Sequence, residues 1–295
     1  MNEPNTTAVK KKNKFAEVWK RLCKNTGAVI GMIIILIFVL GAVFANLIRP
    51  YDLVIRQEAA IRLDPPSAEH WFGTDAYGRD VFARVLYGSR ISLSIGFFTA
   101  AFSLIFGGIL GAAGAYYGGQ VDNIIMRVMD MFTAIPGTLL ALAIVAALGT
   151  SMVNLLIAIT ISSIPGFVRL IRSTVLTVVE SDYVEAARAC GTGDARIILR
   201  HILPNAIGPI IVQTTTSISD MILTASGLSF IGMGVQAPTP EWGAMISEAR
   251  EFYRQKPYLV IFPGVCIILT ALSFNLIGDG LRGCPGPPAP GLRAL

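Results

Sequence analysis

Residues 29–48 run for twenty positions without a charged side chain. A run of that length is what an α-helix needs to cross a hydrocarbon core about 30 Å thick. The surrounding chain is then tightly constrained. In lipid, each backbone N–H and C=O must be satisfied within the protein, which leaves helices and closed barrels as spanning structures. A cleaved secretory signal has an apolar core of roughly 7 to 15 residues, so this longer run reads as an uncleaved first transmembrane helix. Five more runs follow, at 91–116, about 132–148, 152–171, about 205–230 and 258–277. The third is short and has Pro136 and Gly137 near its start. A span and a buried or re-entrant segment both stay open for it.

The composition fits that reading. Hydrophobic residues make up 53% of the 295 and charged residues only 15%, against about 25% charged in a soluble domain. The mean hydropathy is +0.62. The expected fold class is therefore an all-α integral membrane protein with six predicted transmembrane helices.

The net charge of +5 does not point to nucleic acid. Much of the excess flanks the first span, at Lys10, Lys11, Lys12, Lys14, Lys20, Arg21 and Lys24. Positive charge beside a short loop or tail stays on the cytoplasmic side, so both termini are expected in the cytoplasm. The chain then divides into a basic tail (1–28), a first transmembrane helix (29–48), an extracytoplasmic loop (49–90), a transmembrane core (91–278) and a cytoplasmic tail (279–295). Within the core, 118–131 and 172–203 fall inside and 232–257 outside.

Several chemistries are excluded. There is no Gly-rich phosphate loop with its Lys and Ser/Thr, so this chain is not expected to hydrolyse ATP or bind a cofactor. The two histidines, His70 and His201, fall on opposite sides of the membrane and cannot share a metal. Cys23, Cys190, Cys266 and Cys284 have no paired spacing. No protease constellation appears, so the chain is not expected to be an enzyme.

Two features inside the spans carry information. Gly107, Gly108, Gly111 and Gly114 form a small-residue ladder of the kind that lets membrane helices approach closely. The segment QTTTSISD places Gln213, Thr214, Thr215, Ser217, Ser219 and Asp220 in the fifth span. Such groups should face a bundle interior or a wet path instead of lipid, which makes them translocation-path candidates. In the outer segments, Glu58, Asp64, Asp75, Arg79, Asp80 and Arg84, with Glu241, Glu248 and Arg250, suit either ion pairs that shape the loops or a rim that docks a partner.

The stretch YVEAARACGTGDARIILRHILPNAIGPIIV, from Tyr183 to Val212, is the most charged insert between apolar runs. Asp182 and Glu185 form a capping-box pattern that starts a helix. Gly191 sits where a left-handed residue would stop it, and Asp194 is placed to cap a second helix. Leu203 precedes Pro204 and is biased away from helical geometry, so Pro204 is expected to open the fifth span. A short helix, a turn and a second helix thus stand between two spans.

Glu185, Ala186, Ala187, Gly191, Ile202 and Pro204 resemble the EAA motif of membrane subunits of binding-protein-dependent ABC importers. HWFGTDAYGRDVFARVLYGSRISLSIG (His70 to Gly96), GLSFIGMGVQAPTPEWGAMISEAR (Gly227 to Arg250) and FNLIGDGLR (Phe274 to Arg282) are similar to the second, C-type permease subunit of dipeptide, oligopeptide and nickel importers. The resemblance covers nearly the whole chain. It implies a type I ABC importer transmembrane fold in a bacterial or archaeal cytoplasmic membrane. It also implies a homologous second permease subunit, two cytoplasmic ATPase subunits that bind ATP and Mg, and an extracytoplasmic substrate-binding protein. Glu185, Ala186, Ala187, Arg188 and Gly191 would belong to the coupling helix seated in the ATPase. Short peptides are the expected cargo, with nickel or another small solute as the alternative. A proton-coupled carrier using Asp220 is the rival outside the family.

Two departures stand out. Many such permeases have a small residue where this chain has Asp220 and an acidic one near Ala225. The tail differs too: FNLIGDGLR ordinarily continues D-A-L-D-P-R, whereas here Gly283, Cys284, Pro285, Gly286, Pro287 and Pro288 follow. One g inserted before the codons gat-gcc-ctg-gac-ccc-cgc yields those six residues, so a frameshift near residue 283 is expected, against a genuine Pro/Gly-rich tail. Resequencing the gene should recover the D-A-L-D-P-R frame; an intact frame reading through Gly283 would contradict it.

Overall fold

The computed structural model describes residues 19, 20 and 22–282. The basic tail through residue 18, Arg21, and the tail from residue 283 with its proposed frameshift lie outside the described residues. The apolar runs fold as helices whose ends are set by residues just outside them. Helix α1, Thr26–Val43, is capped by Asn25, whose side chain accepts the Ala28 N–H at 3.1 Å. Helix α2, Val81–Tyr117, is 37 residues and about 55 Å long. It begins ten residues before its apolar run, where the Asp80 carboxylate accepts the Ala83 N–H at 2.7 Å. The last turns of the polar segment thereby join the span.

Helices α3, Gly119–Thr133, and α4, Gly137–Leu148, follow with an 81° bend between them. The apolar run at 132–148 is therefore not one straight span. Pro136 carries no N–H and biases the residue before it away from helical geometry, so α3 ends at Thr133 and the chain turns. The segment 118–131, read above as a connection, is mostly the amphipathic helix α3. Among the described residues, five helices are long and apolar enough to cross a membrane, or six if this bent pair makes one crossing.

Helix α5, Met152–Val179, starts where the Ser151 hydroxyl accepts the Asn154 N–H. A short helix α6, Asp182–Ala189, leads to α7, Asp194–Phe230. Helix α8, Trp242–Glu248, packs behind α7, and α9, Tyr258–Arg282, closes the bundle. Pro204 does not break α7. Residues Ile198–Ile202 widen into a π-type turn, and Leu203 itself is helical at φ −56°, ψ −41°. A π-turn takes up the ring clash and the missing N–H that a proline brings, so the helix starts ten residues earlier than Pro204 suggested.

The bundle is organised by close approach. A methyl group on Gly111 would lie 2.6 Å from the Val168 carbonyl oxygen of α5, and one on Gly107 would lie 2.5 Å from Phe167 Cβ. Glycine alone lets α2 and α5 meet backbone to backbone. Gly108, by contrast, has its nearest neighbour at an ordinary 3.7 Å. The ladder is thus a two-rung contact, with Gly114 against Asp122 beyond it. Gly31 beside the Ser273 carbonyl and Gly280 beside Ala28 bring α1 onto α9 in the same way.

Gly111→Ala should therefore destabilise the detergent-solubilised protein by about 1–3 kcal/mol through overpacking against a backbone oxygen. Gly108→Ala should be neutral or slightly stabilising, because alanine favours a helix by about 1 kcal/mol over glycine. Thermal unfolding of the two variants side by side checks this; equal effects would remove the packing argument.

Candidate functional site

The segment 180–203 is bound to the bundle through its apolar side. Val184 and Ile197 are fully buried, in one cluster with Ala112 and Tyr116 of α2, Val175 and Val179 of α5, and Ile202, Ala206 and Ile210 of α7. Helix α6 starts at Ser181, with Asp182 as its first helical residue instead of its cap. The Ser181 hydroxyl donates to the Val178 carbonyl at 2.6 Å, which ties it to α5, and with Ser181 in the cap position the expected Asp182–Glu185 capping box does not form. The stop is as expected. Gly191 has φ +73°; its N–H donates to Arg188 O and that of Thr192 donates to Ala187 O. This pair of bonds is a Schellman motif, which needs a residue in the left-handed region.

Glu185 and Ala186 are exposed and Ala187 is half-buried against the cluster. Among the described residues Glu185 has no ion-pair or hydrogen-bond partner for its carboxylate. Arg188 turns the other way, its guanidinium 4.6 Å from the centre of the Tyr116 ring. The Tyr116 hydroxyl donates to Asp194 at 2.8 Å. Asp194 is then a tether from α7 to α2 instead of a cap, because Gly193 occupies the cap position. Nearby, Arg172 of α5 donates two bonds to Asp122 of α3, at 2.5 and 2.6 Å. The fork geometry of that pair fixes α3 against α5.

Halfway along α7, a groove of about 420 Å³ opens between it, α5 and the start of α4. Gln213, Ser217, Asp220 and Thr224 line it from α7, at intervals of four, three and four residues that put them on one helical face. Ser162 and Ser163 face them from α5, and Thr138 from α4. The sequence carries a signal for this second wall, since two adjacent serines in a span raise the same question as QTTTSISD. The other candidates lie off the groove. Thr214 and Thr215 donate to Ile210 O and Ile211 O of their own helix, at 2.7 and 2.8 Å, a local way to satisfy a hydroxyl in a membrane helix. Ser219 is buried against α9 and accepts from Asn275 at 3.1 Å.

At the far end of α2, most of the proposed docking charges are used internally. Arg79 and Arg84 are each 1% exposed. Arg79 bonds Asp75 at 2.6 Å and Glu248 at 2.5 Å, and Arg84 reaches the same Glu248 oxygen at 3.0 Å. Asp80 caps α2 and meets His70 at 2.8 Å. Glu241 is wholly buried and caps α8 by accepting the N–H groups of Gly243 and Ala244. Burial pushes its carboxyl above the usual range, while those two N–H groups and the Ser92 hydroxyl pull it down. Charges desolvated in this way shape the loops and present no rim, whereas Asp64 and Arg250 stay exposed and Glu58 is half-buried, 3.6 Å from Arg56.

Comparison with known proteins bears on this arrangement. A family model described as "Binding-protein-dependent transport system inner membrane component" matches residues 92–283. A second, described as "N-terminal TM domain of oligopeptide transport permease C", matches residues 13–66. The chain is 49% identical over 273 residues to the dipeptide transport system permease protein of Alkalihalophilus pseudofirmus, covering 92% of this chain and 90% of that protein. It is 42% identical to the glutathione transport system permease protein of Pectobacterium atrosepticum over 92% and 91%. A solved inward-facing form of the MetNI methionine ABC transporter shares the fold, with a TM-score of 0.55 at 16% identity over 68% of this chain and 95% of that chain.

The Tyr116 tether generates a direct test. Tyr116→Phe removes one hydrogen bond to a carboxylate, worth about 1.5–3 kcal/mol. Amide exchange in residues 183–200 should rise roughly tenfold or more while α2 and α5 stay protected. Unchanged exchange there would show that the apolar cluster alone holds the segment.

Proposed function

Because the chain belongs to the family of binding-protein-dependent transport system inner membrane components, we propose that it is a permease subunit forming half of the translocation path of an ATP-driven importer for short peptides. Its relatives are named as dipeptide and glutathione permeases, and glutathione is itself a tripeptide, which favours peptide over nickel. The partners of this reading are a homologous second permease subunit, two ATPase subunits that bind ATP and Mg, and a substrate-binding protein on the opposite face.

The observation that carries the mechanism is that α6 is exposed on one side and anchored on the other. Its outer side offers the unpartnered Glu185 carboxylate and the small residues Ala186 and Ala189, a shape that seats in a cleft without steric cost. Its inner side reaches α2, α5 and α7 through Val184 and the Arg188–Tyr116 stack. Helices α5 and α7 also form the groove walls. A push on α6 as the ATPases close on ATP is then delivered to the helices whose relative position sets the groove width. The groove opens alternately to the two sides, and the chain does no chemistry of its own.

Glu185→Lys should reduce ATP-dependent uptake by tenfold or more with the protein still in the membrane. Gly191→Val should do the same, since a β-branched residue is strained at φ +73°. Uptake of labelled dipeptide in cells carrying the whole importer, with immunoblots for chain level, checks this. Full uptake in both variants would refute the coupling role.

A further inference from the structure

Among the described residues, one ionisable side chain lines the groove. Asp220 lines it from the second half of α7, between Ser217 and Thr224. The other polar lining groups are neutral: Gln213, Ser162 and Ser163 among them. Among the described residues, no Lys, Arg or His lines the groove, and the Asp220 carboxylate has no hydrogen-bond or ion-pair partner. The nearby cations are committed elsewhere. Arg169 bonds Asp130 at 2.8 Å and Thr133 at 2.7 Å, and Arg172 is held by Asp122.

A carboxylate in a membrane span is costly unless it meets water or a cation, and such residues mark the routes of solutes. Here it meets an open groove of about 420 Å³, large enough for a small solute, with walls that offer hydroxyl and amide groups and no competing charge. The field in such a groove favours cations over anions, and it acts more strongly than in bulk water because the protein walls lower the local dielectric.

We propose that Asp220 selects cargo by charge, holding the ammonium group of a peptide in transit and disfavouring peptides with an additional carboxylate. This rests on the reading of the groove as a peptide path. Zwitterionic peptides pass with the amino end toward Asp220, a basic side chain adds to the attraction, and an acidic one opposes it. Thr224, one turn away, donates to the Asp220 backbone carbonyl at 2.8 Å and leaves the carboxylate free for cargo.

The test is uptake of three labelled dipeptides, Ala-Ala, Lys-Ala and Ala-Glu, by cells carrying the whole importer with wild-type chain, Asp220→Asn or Asp220→Glu. The substrate-binding protein is the same throughout, so its own preference cancels when uptake ratios are compared between variants. Asp220→Asn should lower the Lys-Ala to Ala-Glu ratio about tenfold, the size expected for one lost charge-assisted hydrogen bond. Asp220→Glu should keep it. An unchanged ratio in Asp220→Asn would overturn the proposal, as would an equal loss for all three peptides or failure of the importer to assemble, either of which assigns Asp220 a structural role. No uptake of any peptide by the wild type would instead refute the peptide reading itself, and the proposal with it.

Discussion

Gly107 and Gly111 let the backbone of α2 come against the backbone of α5, and the rest of the bundle is arranged around that contact. Lipid gives apolar side chains no reason to leave it, so helices in a membrane associate through dispersion and complementary shape. A methyl group on Gly111 would lie 2.6 Å from a backbone oxygen, so the contact tolerates no side chain. With the two helices locked, α2 acts as a beam of about 55 Å. One end holds the loops through Arg84 and Glu248. The other holds α6 and the start of α7 through Tyr116, Arg188 and Asp194.

The charged residues divide into two groups by partnership. Asp75, Arg79, Arg84 and Glu248 pair with one another around two buried guanidinium groups, and Arg172 and Asp122 pair between α5 and α3 at a partly exposed site. Removing one member of such a pair leaves an uncompensated charge, at a cost of about 3–5 kcal/mol when buried. Glu185 and Asp220 have no such partners among the described residues. One stands on the exposed side of α6, the surface proposed to seat in an ATPase, and the other in the groove proposed to carry cargo.

Much of this was legible in the sequence. Six apolar runs correspond to five long helices and one bent pair, because a run of about 20 apolar residues has few other ways to satisfy its backbone. Gly191 as a helix stop followed from its need for positive φ. The family resemblance followed from motifs along almost the whole chain. What the sequence did not disclose depended on contacts between distant segments. Ser181 displaced Asp182 as the boundary of α6, and a π-turn carried α7 through Pro204. The charges of the outer loops were mostly internal pairs, since Arg79 finds Glu248 only when residues 169 apart in sequence are brought together. The groove was half visible: QTTTSISD marked the right helix, but which of its side chains face Ser162 and Ser163 is set by how α7 rotates against α5.

On the proposed mechanism α6 moves as one body with α2, and this motion changes the groove. Pulsed spin–spin distances in the assembled importer measure both parts, with one label pair at Tyr117 and Ala189 and another at Thr138 and Thr224. On adding ATP, the first distance should stay constant while the second shifts. A changed distance between α6 and α2, or a groove of constant width during turnover, would contradict the mechanism.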